Sequence, residues 1–311
     1  MTGPRSPLRK ARALAIAASG GAVLAASAAA SPYSDINQAA RKGPVTVTRL
    51  RSGISMLSGS GGNITALPGQ RGFLLVDTGI SLSQRMIQQA LRSIGPGPVR
   101  LAIITHWHWD HADGDAWVRA SGADVLADPS TIRRLNATLR VPEWGHTFKP
   151  TARAALPNIS VSGDRDLRMN GETVRIRHYR PGHTDTDISV YFAKSDILAV
   201  GDTFWNGQYP FIDHSTGGSI DGAIAAANAN IAMAGPRTII VPGHGPVGDR
   251  ATQIAFRDML VAVRERVARL KRRGMTLAQV QASRPTAAYD AKWGRSVISG
   301  RLFTALVYRG V

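Results

Sequence analysis

The sequence predicts an α/β chain whose strands and helices suit a four-layer αβ/βα sandwich. Three observations carry that expectation. β-type apolar runs alternate with amphipathic helical runs along most of the 311 residues. The alternation divides into two similar halves, without a repeat strong enough to relate them. A hydrophobic content of 43% over that length is enough for one large core.

The N-terminus stands apart. Residues 1–12 carry Arg5, Arg9, Lys10 and Arg12 and no acid, and residues 13–30 are Ala-rich and end in Ala28-Ala29-Ala30. A basic region, an apolar core and a small-x-small end make a secretory signal peptide, with the cut expected after Ala30. The apolar stretch is barely long enough to span a bilayer, so a cleaved leader is favoured over a membrane anchor. No Arg-Arg pair occurs in it, which favours general secretion over twin-arginine export. Residues 31–44 read as a short polar linker. Residues 45–311 read as one domain, with C-terminal helices from about residue 250.

Within the domain, 45–51, 63–67 and 72–76 read as strands, with the glycine cluster at 59–62 as a turn between them. Residues 81–94 place Met86, Ile87, Ala90, Leu91 and Ile94 at helical spacing. The run 101–105 reads as a buried strand, and 113–120 and 130–139 as helices around a strand at 124–127. In the second half, strands are expected at 172–179, 187–193, 197–200 and 238–241, and an Ala-rich helix at 220–234. A long helix at 250–273 lines up Met259, Leu260, Val263, Val267 and Leu270, and two further helices are expected at 275–283 and 297–309.

The strand at 101–105 runs straight into His106-Trp107-His108-Trp109-Asp110-His111, four potential metal ligands in six residues. Imidazole nitrogen and carboxylate oxygen are the ligands of hydrolytic zinc sites. Three imidazoles and a carboxylate packed together without a metal would crowd groups that repel once protonated. Three further candidates follow β-type runs beside glycine. They are His183 in Pro181-Gly182-His183-Thr184, Asp202 in Gly201-Asp202-Thr203, and His244 in Pro242-Gly243-His244-Gly245. Glycine lets the backbone turn and come close to a site. The remaining histidines, His146, His178 and His214, have no such context. Three neutral imidazoles leave a fourth tetrahedral position open, which separates a catalytic zinc from a structural one. A shared carboxylate holds two metals roughly 3.5–4 Å apart.

The order His-x-His-x-Asp-His, His, Asp, His, together with Val76-Asp77-Thr78-Gly79, resembles the metallo-β-lactamase superfamily over about residues 45–250. The resemblance implies that family's fold, with two mixed sheets flanked by helices, and two Zn2+ per chain. It implies that His106, His108 and His183 hold the first zinc, that Asp110, His111 and His244 hold the second, and that Asp202 bridges both. Asp77 either orients a ligand histidine or is a plain turn residue. The resemblance further implies a dizinc metallo-hydrolase whose nucleophile is a metal-bridging hydroxide, because zinc brings the pKa of its water from ~15.7 to ~7. Asp110 would also receive a proton. The aromatic, Gly/Pro-broken stretch 203–213 suits a pocket-shaping loop, from which Tyr209 or Asn206 could donate a hydrogen bond to a developing oxyanion. Trp144 and Phe148 could form a flap from the other side. Trp107 and Trp109 alternate with the ligands and read as packing under the site.

The chain has no cysteine, which excludes thiolate ligation and thiol chemistry. The ligand set is therefore closer to glyoxalase II and lactonase-type ligation than to a cysteine-containing lactamase. Only 41 residues separate Asp202 from His244, too few for the inserted domain of a nuclease of this fold. Asp202 favours a broader hydrolase, with ester, thioester, lactone or phosphoester substrates, over a true lactamase, and the leading reading is cleavage of an ester, thioester, lactone or amide bond. β-Lactams, phosphodiesters and sulfate esters are the alternatives, and a non-catalytic periplasmic metal-binding protein is the non-enzyme reading. The net charge is +17; without residues 1–30 it is +13, from 34 basic residues against 21 acids. The charges are scattered, and the densest group, 264–273, lies on the solvated face of a helix, so nucleic acid is not an expected partner. The expected partners are a small-molecule substrate and, in passing, export machinery. The expected location is periplasmic or secreted. The sequence does not set an oligomeric state.

Overall fold

A computed structural model of the chain describes residues 1–3, 31–179 and 181–311. Residues 4–30 of the expected signal peptide lie outside the described residues. Among the described residues, no helix is long and apolar enough to cross a membrane.

The first half of the chain contributes β1 (Thr46–Arg49), β2 (Ser55–Ser58), β3 (Ile64–Leu67), β4 (Phe73–Val76), β5 (Val99–Ile103) and β6 (Asp124–Ala127), then a small hairpin of β7 (Leu139–Val141) and β8 (His146–Phe148), then β9 (Ile159–Ser160). Apart from the hairpin, these form one seven-stranded sheet in the order β1-β2-β3-β4-β5-β6-β9, antiparallel up to β4 and parallel beyond it. The second sheet runs β10 (Arg165–Met169), β11 (Glu172–His178), β12 (Ile188–Phe192), β13 (Ile197–Ala199) and β14 (Ile239–Val241), with only β13 and β14 parallel. The helices are α1 (Pro32–Lys42), α2 (Gln84–Ile94), α3 (Trp109–Ala112), α4 (Asp115–Ala120), α5 (Pro129–Leu135), α6 (Ile220–Met233), α7 (Arg250–Arg272), α8 (Leu277–Ala282), α9 (Ala287–Trp293) and α10 (Gly300–Arg309).

Alternation along the strands sorts the apolar side chains into three cores, because successive residues point to opposite faces. In β4, Leu74 and Val76 face the second sheet and meet Val190 and Ile197, while Phe73 and Leu75 face outward against Ile87 and Leu91 of α2. In β13, Ile197 and Ala199 join the core between the sheets, while Leu198 turns outward toward Ala227 of α6 and Phe256 of α7. Helix, sheet, sheet and helix therefore stack as four layers, as the sequence predicts. The pairing pattern also brings the C-terminal ends of β4, β5, β13 and β14 to the sheet edges where β3 and β12 begin.

One segment differs outright. Residues 31–44, expected as a linker, contain the helix α1. Ser31 caps it, its Oγ accepting from Ser34 N at 3.2 Å, and Pro32 opens the first turn. Tyr33, Ile36 and Ala40 fall at i, i+3 and i+7, one face of a helix. At one end the Tyr33 ring stacks on His146 at 3.7 Å. At the other, Ser83 Oγ donates to Ala40 O at 2.8 Å. The polar composition of the segment describes its outer face only. The expected helix at 130–139 ends at Leu135, and β2, α3, β7, β8, β9, β10 and α9 are additions. The charged sequence of β10, Arg165-Asp166-Leu167-Arg168-Met169, masks its alternation because it is an edge strand with one solvated face.

Replacing Tyr33 by Ala removes the stack that pins α1. The expected outcome is faster proteolytic cleavage within residues 32–42, with the denaturant midpoint of the remaining domain little changed. Equal cleavage rates would show that the stack does not hold the helix.

Candidate metal centre

The site forms where those strand ends meet. His106 and His108 follow β5, and Asp110 and His111 sit in α3, the single turn that comes next. His183 lies ahead of β12, Asp202 just after β13, and His244 just after β14. Ligands from both sheets thus converge on one edge, where open α/β sheets place their sites. All seven expected ligand residues come together. They form two groups, His106, His108, His183 and Asp202, and Asp110, His111 and His244, and within each group one candidate ligand atom per residue lies within 4.8 Å of the others.

Asp202 joins the groups through its two oxygens. Oδ2 is 3.4 Å from His183 Nε2 and 3.7 Å from His106 Nε2. Oδ1 is 3.0 Å from His111 Nε2 and 3.4 Å from His244 Nε2. Asp110 Oδ2 adds a contact of 3.3 Å to His244 Nε2.

Outer hydrogen bonds fix which nitrogen faces inward in four of the five rings. His183 Nδ1 donates to Phe211 O at 2.8 Å, His111 Nδ1 to Asp77 Oδ2 at 2.8 Å, and His108 Nε2 to Asp213 Oδ2 at 3.0 Å. His106 Nδ1 lies 3.0 Å from Thr105 Oγ1, which donates on to Asp77 Oδ2 at 2.9 Å. Each imidazole so held turns a lone pair toward the centre. Two of these lone-pair nitrogens, His183 Nε2 and His108 Nδ1, approach to 2.9 Å. His106 Nε2 and Asp202 Oδ1 are buried without a hydrogen-bond partner. Converging lone pairs and orphaned buried acceptors are a donor set for cations, and the residues present fit metal ions.

The electrostatics divide along the same line. Burial, reinforced by the neighbouring His111, holds His106 well below its ordinary value, and burial pulls His183 down to about 4. On the other side burial also disfavours charge, but the surrounding carboxylates together outweigh it: Asp202, Asp77 and Asp110 hold His111 well above its ordinary value, and Asp202 and Asp110 hold His244 at about 9. Burial pushes Asp202 up, yet His244 and His111 hold it well below the usual carboxylate range. The second group is therefore a pocket for positive charge.

The backbone approaches closely in two places. A Cβ on Gly243 would stand 2.0 Å from Asp202 Oδ1, and one on Gly62 would stand 2.2 Å from the His111 ring. Only glycine leaves room there. Asn63 ties the two loops together, its Nδ2 donating to Pro242 O at 3.0 Å and Gly245 O at 2.9 Å.

Other expectations are corrected. Tyr209 is fully buried, stacks on Phe303, and donates to Asp290 Oδ1 at 3.0 Å, away from the ligands. Asn206 spends its amide on Pro246 O at 2.9 Å and Val247 O at 3.3 Å, so it braces the loop behind His244 and is no oxyanion donor. Trp144 forms no flap: it is buried against Phe211 and Trp109. Trp107 and Trp109 pack beneath the ligand run, with Trp107 Nε1 donating to Thr216 Oγ1 at 3.2 Å. Sequence reasoning missed Asp213, Thr105 and Asn63 as outer partners. It also missed Gln208, which lines a cleft of about 320 Å³ over Asp110 and His244. Trp205 shares that cleft and lies 4.1 Å from the His244 ring.

A family model described as the metallo-beta-lactamase superfamily matches residues 57–244. The probable metallo-hydrolase YqgX of Bacillus subtilis is 24% identical over 180 residues, covering 54% of this chain and 78% of that protein. The probable metallo-hydrolase MJ0888 of Methanocaldococcus jannaschii is 27% identical over 184 residues, covering 57% and 84%. Among solved structures, the chain is similar to the sec-alkylsulfatase Pisa1 from Pseudomonas sp., with a TM-score of 0.63 and 17% identity, over 85% of this chain and 50% of that one. It therefore spans about half the length of the sulfatase. It is also similar to the DIM-1 metallo-beta-lactamase, with a TM-score of 0.55 and 18% identity, over 70% of this chain and 97% of that one. At these identities the structural likeness speaks for the fold alone.

Replacing Asp213 by Ala frees the His108 ring. The expected outcome is a roughly 10–100-fold loss of metal affinity in competition with a chelating dye. Unchanged affinity would mean that Asp213 does not orient the ligand.

Proposed function

The chain belongs to the metallo-β-lactamase superfamily, and on that premise we propose that it is an exported dizinc hydrolase of an uncharged carbonyl substrate, an ester, thioester, lactone or amide. The observation that carries this reading is the placement of Asp202, with one carboxylate oxygen toward each group of histidines. Charge supports it: Asp77, Asp110, Asp202 and Asp213 bring four carboxylates to the five imidazoles, and two divalent cations balance them. His106, His108, His183 and Asp202 would hold one zinc, and Asp110, His111, His244 and Asp202 the other. Bound zinc supplies Lewis acidity and acidifies water enough for nucleophilic attack near neutral pH.

The protein's own groups do the rest. Asp77, Asp213 and the Phe211 carbonyl hold the rings in one tautomer, so that no reorganisation is needed during turnover. Asp110 lines the cleft, and although burial pushes its carboxyl up, His111 and His244 keep it ionised. With the metals bound, its carboxylate would be the group to accept the proton released as the nucleophile forms and to return it to the leaving group. Among the described residues no lysine or arginine lines the cleft. A phosphodiester or sulfate ester would ordinarily call for such a cation, so a neutral carbonyl is favoured. β-Lactam hydrolysis is the second reading, because the same attack opens a strained amide. Export rests on the basic and Ala-rich residues 1–30.

Metal analysis of the mature protein, followed by assays with nitrocefin, an acyl-homoserine lactone, a thioester and bis-p-nitrophenyl phosphate, tests the proposal. The expected result is about two zinc ions per chain and turnover of a carbonyl substrate that a chelator abolishes. Less than about one metal per chain after loading with zinc would sink it. His108→Ala should cost more than the roughly 10–100-fold typical of losing an outer hydrogen-bond partner. A fully active His108→Ala protein would show that the ligands are misassigned.

A further inference from the structure

We infer that the cleft over Asp110 and His244 selects substrates whose reacting carbonyl carries an uncharged alkyl or aryl group, received between α1 and Val297, with Gln208 as the polar anchor. The inference rests on the hydrolase reading and names the substrate class within it. The walls come from opposite ends of the chain. Ile36, Ala39 and Ala40 of α1 line one side. They fall at i, i+3 and i+4, the spacing that aligns side chains on one helix face, so α1 turns an apolar stripe toward the site. Val297 lines the mouth and is 47% exposed. Among the described residues Met1 and Leu82 are the only other exposed large apolar side chains. A half-buried isoleucine and an exposed valine beside candidate metal ligands are a place for ligand surface to be buried.

The charge pattern points the same way. The chain carries 38 lysines and arginines, yet among the described residues none lines this cleft, whose ionisable groups are Asp110 and His244. An anionic substituent would meet Asp110 without a cation to offset it. Gln208 offers a carboxamide donor and acceptor at the same wall, which suits a neutral polar group such as an ester or amide oxygen. The wall is a fixed part of the fold, since α1 is held at Tyr33 by His146 and at Ala40 by Ser83.

Calorimetric binding of acetohydroxamate and octanohydroxamate to the zinc-loaded protein tests this. The wild type should bind the long-chain probe about tenfold or more tightly than the short one. Val297→Asp and Ile36→Ser should bring that ratio toward one at unchanged zinc content. Leu82→Asp, outside the cleft, should leave the ratio as in the wild type. A wild type without chain-length preference would overturn the inference, and so would a Val297→Asp protein that keeps the preference. Val297 is exposed, so its variant is informative even if Ile36→Ser unfolds α1. If neither hydroxamate binds the zinc-loaded protein, the hydrolase reading falls and takes this inference with it. If the short probe binds and the ratio is flat, only the inference falls.

Discussion

The carboxylate of Asp202 sits between two groups of histidines, and the geometry of the rest follows from that position. One oxygen faces His106 and His183, and the other faces His111 and His244. A side chain can do this only if strands from both sheets end at the same edge and the backbone beside it carries no Cβ. The first condition is met where His106, after β5 of one sheet, and His244, after β14 of the other, reach the same carboxylate. The second is met by Gly243. Burying four carboxylates together is costly unless they are paired with positive charge. That cost is the physical reason for reading the donor set as a cation site.

Around this centre the protein supplies two kinds of support. Asp77, Asp213, Thr105 and the Phe211 carbonyl work from behind, aiming ring nitrogens. Asn63 and Asn206 work from the side, tying the His244 loop to its neighbours. Neither set faces the cleft. The residues that do face it come from α1, the glycine turn at 59–61, the loop after Asp202 and the segment at 296–297, beside Asp110 and His244 themselves. Aiming the ligands and shaping the opening are therefore assigned to different side chains, which along the loop after Asp202 are close neighbours in sequence.

Much of this was legible in the sequence because it is periodic or local. Strands such as β4 and β13 alternate, and the run from His106 to His111 compresses four donors into consecutive positions. The later ligands each follow an apolar run beside a glycine. What the sequence hid has physical causes. The helix α1 is short and polar on its outer face, and its packing partners, His146 and Ser83, are far away in sequence. In the loop after Asp202 the aromatic composition pointed correctly to a pocket wall. With no regular period, however, nothing distinguished Gln208, which faces the cleft, from Tyr209 and Asn206, which do not. Asp213 lies in that same loop, and only the fold brings it to His108.

The donor set has one more consequence, concerning damage. Every group facing the centre is an imidazole nitrogen or a carboxylate oxygen, in a chain with no cysteine. No thiolate is present to pass to sulfenic acid or to be captured in a mixed disulfide. Peroxide and thiol oxidants that would disarm a sulfur-ligated centre by oxidising its thiolates find no sulfur among these ligands.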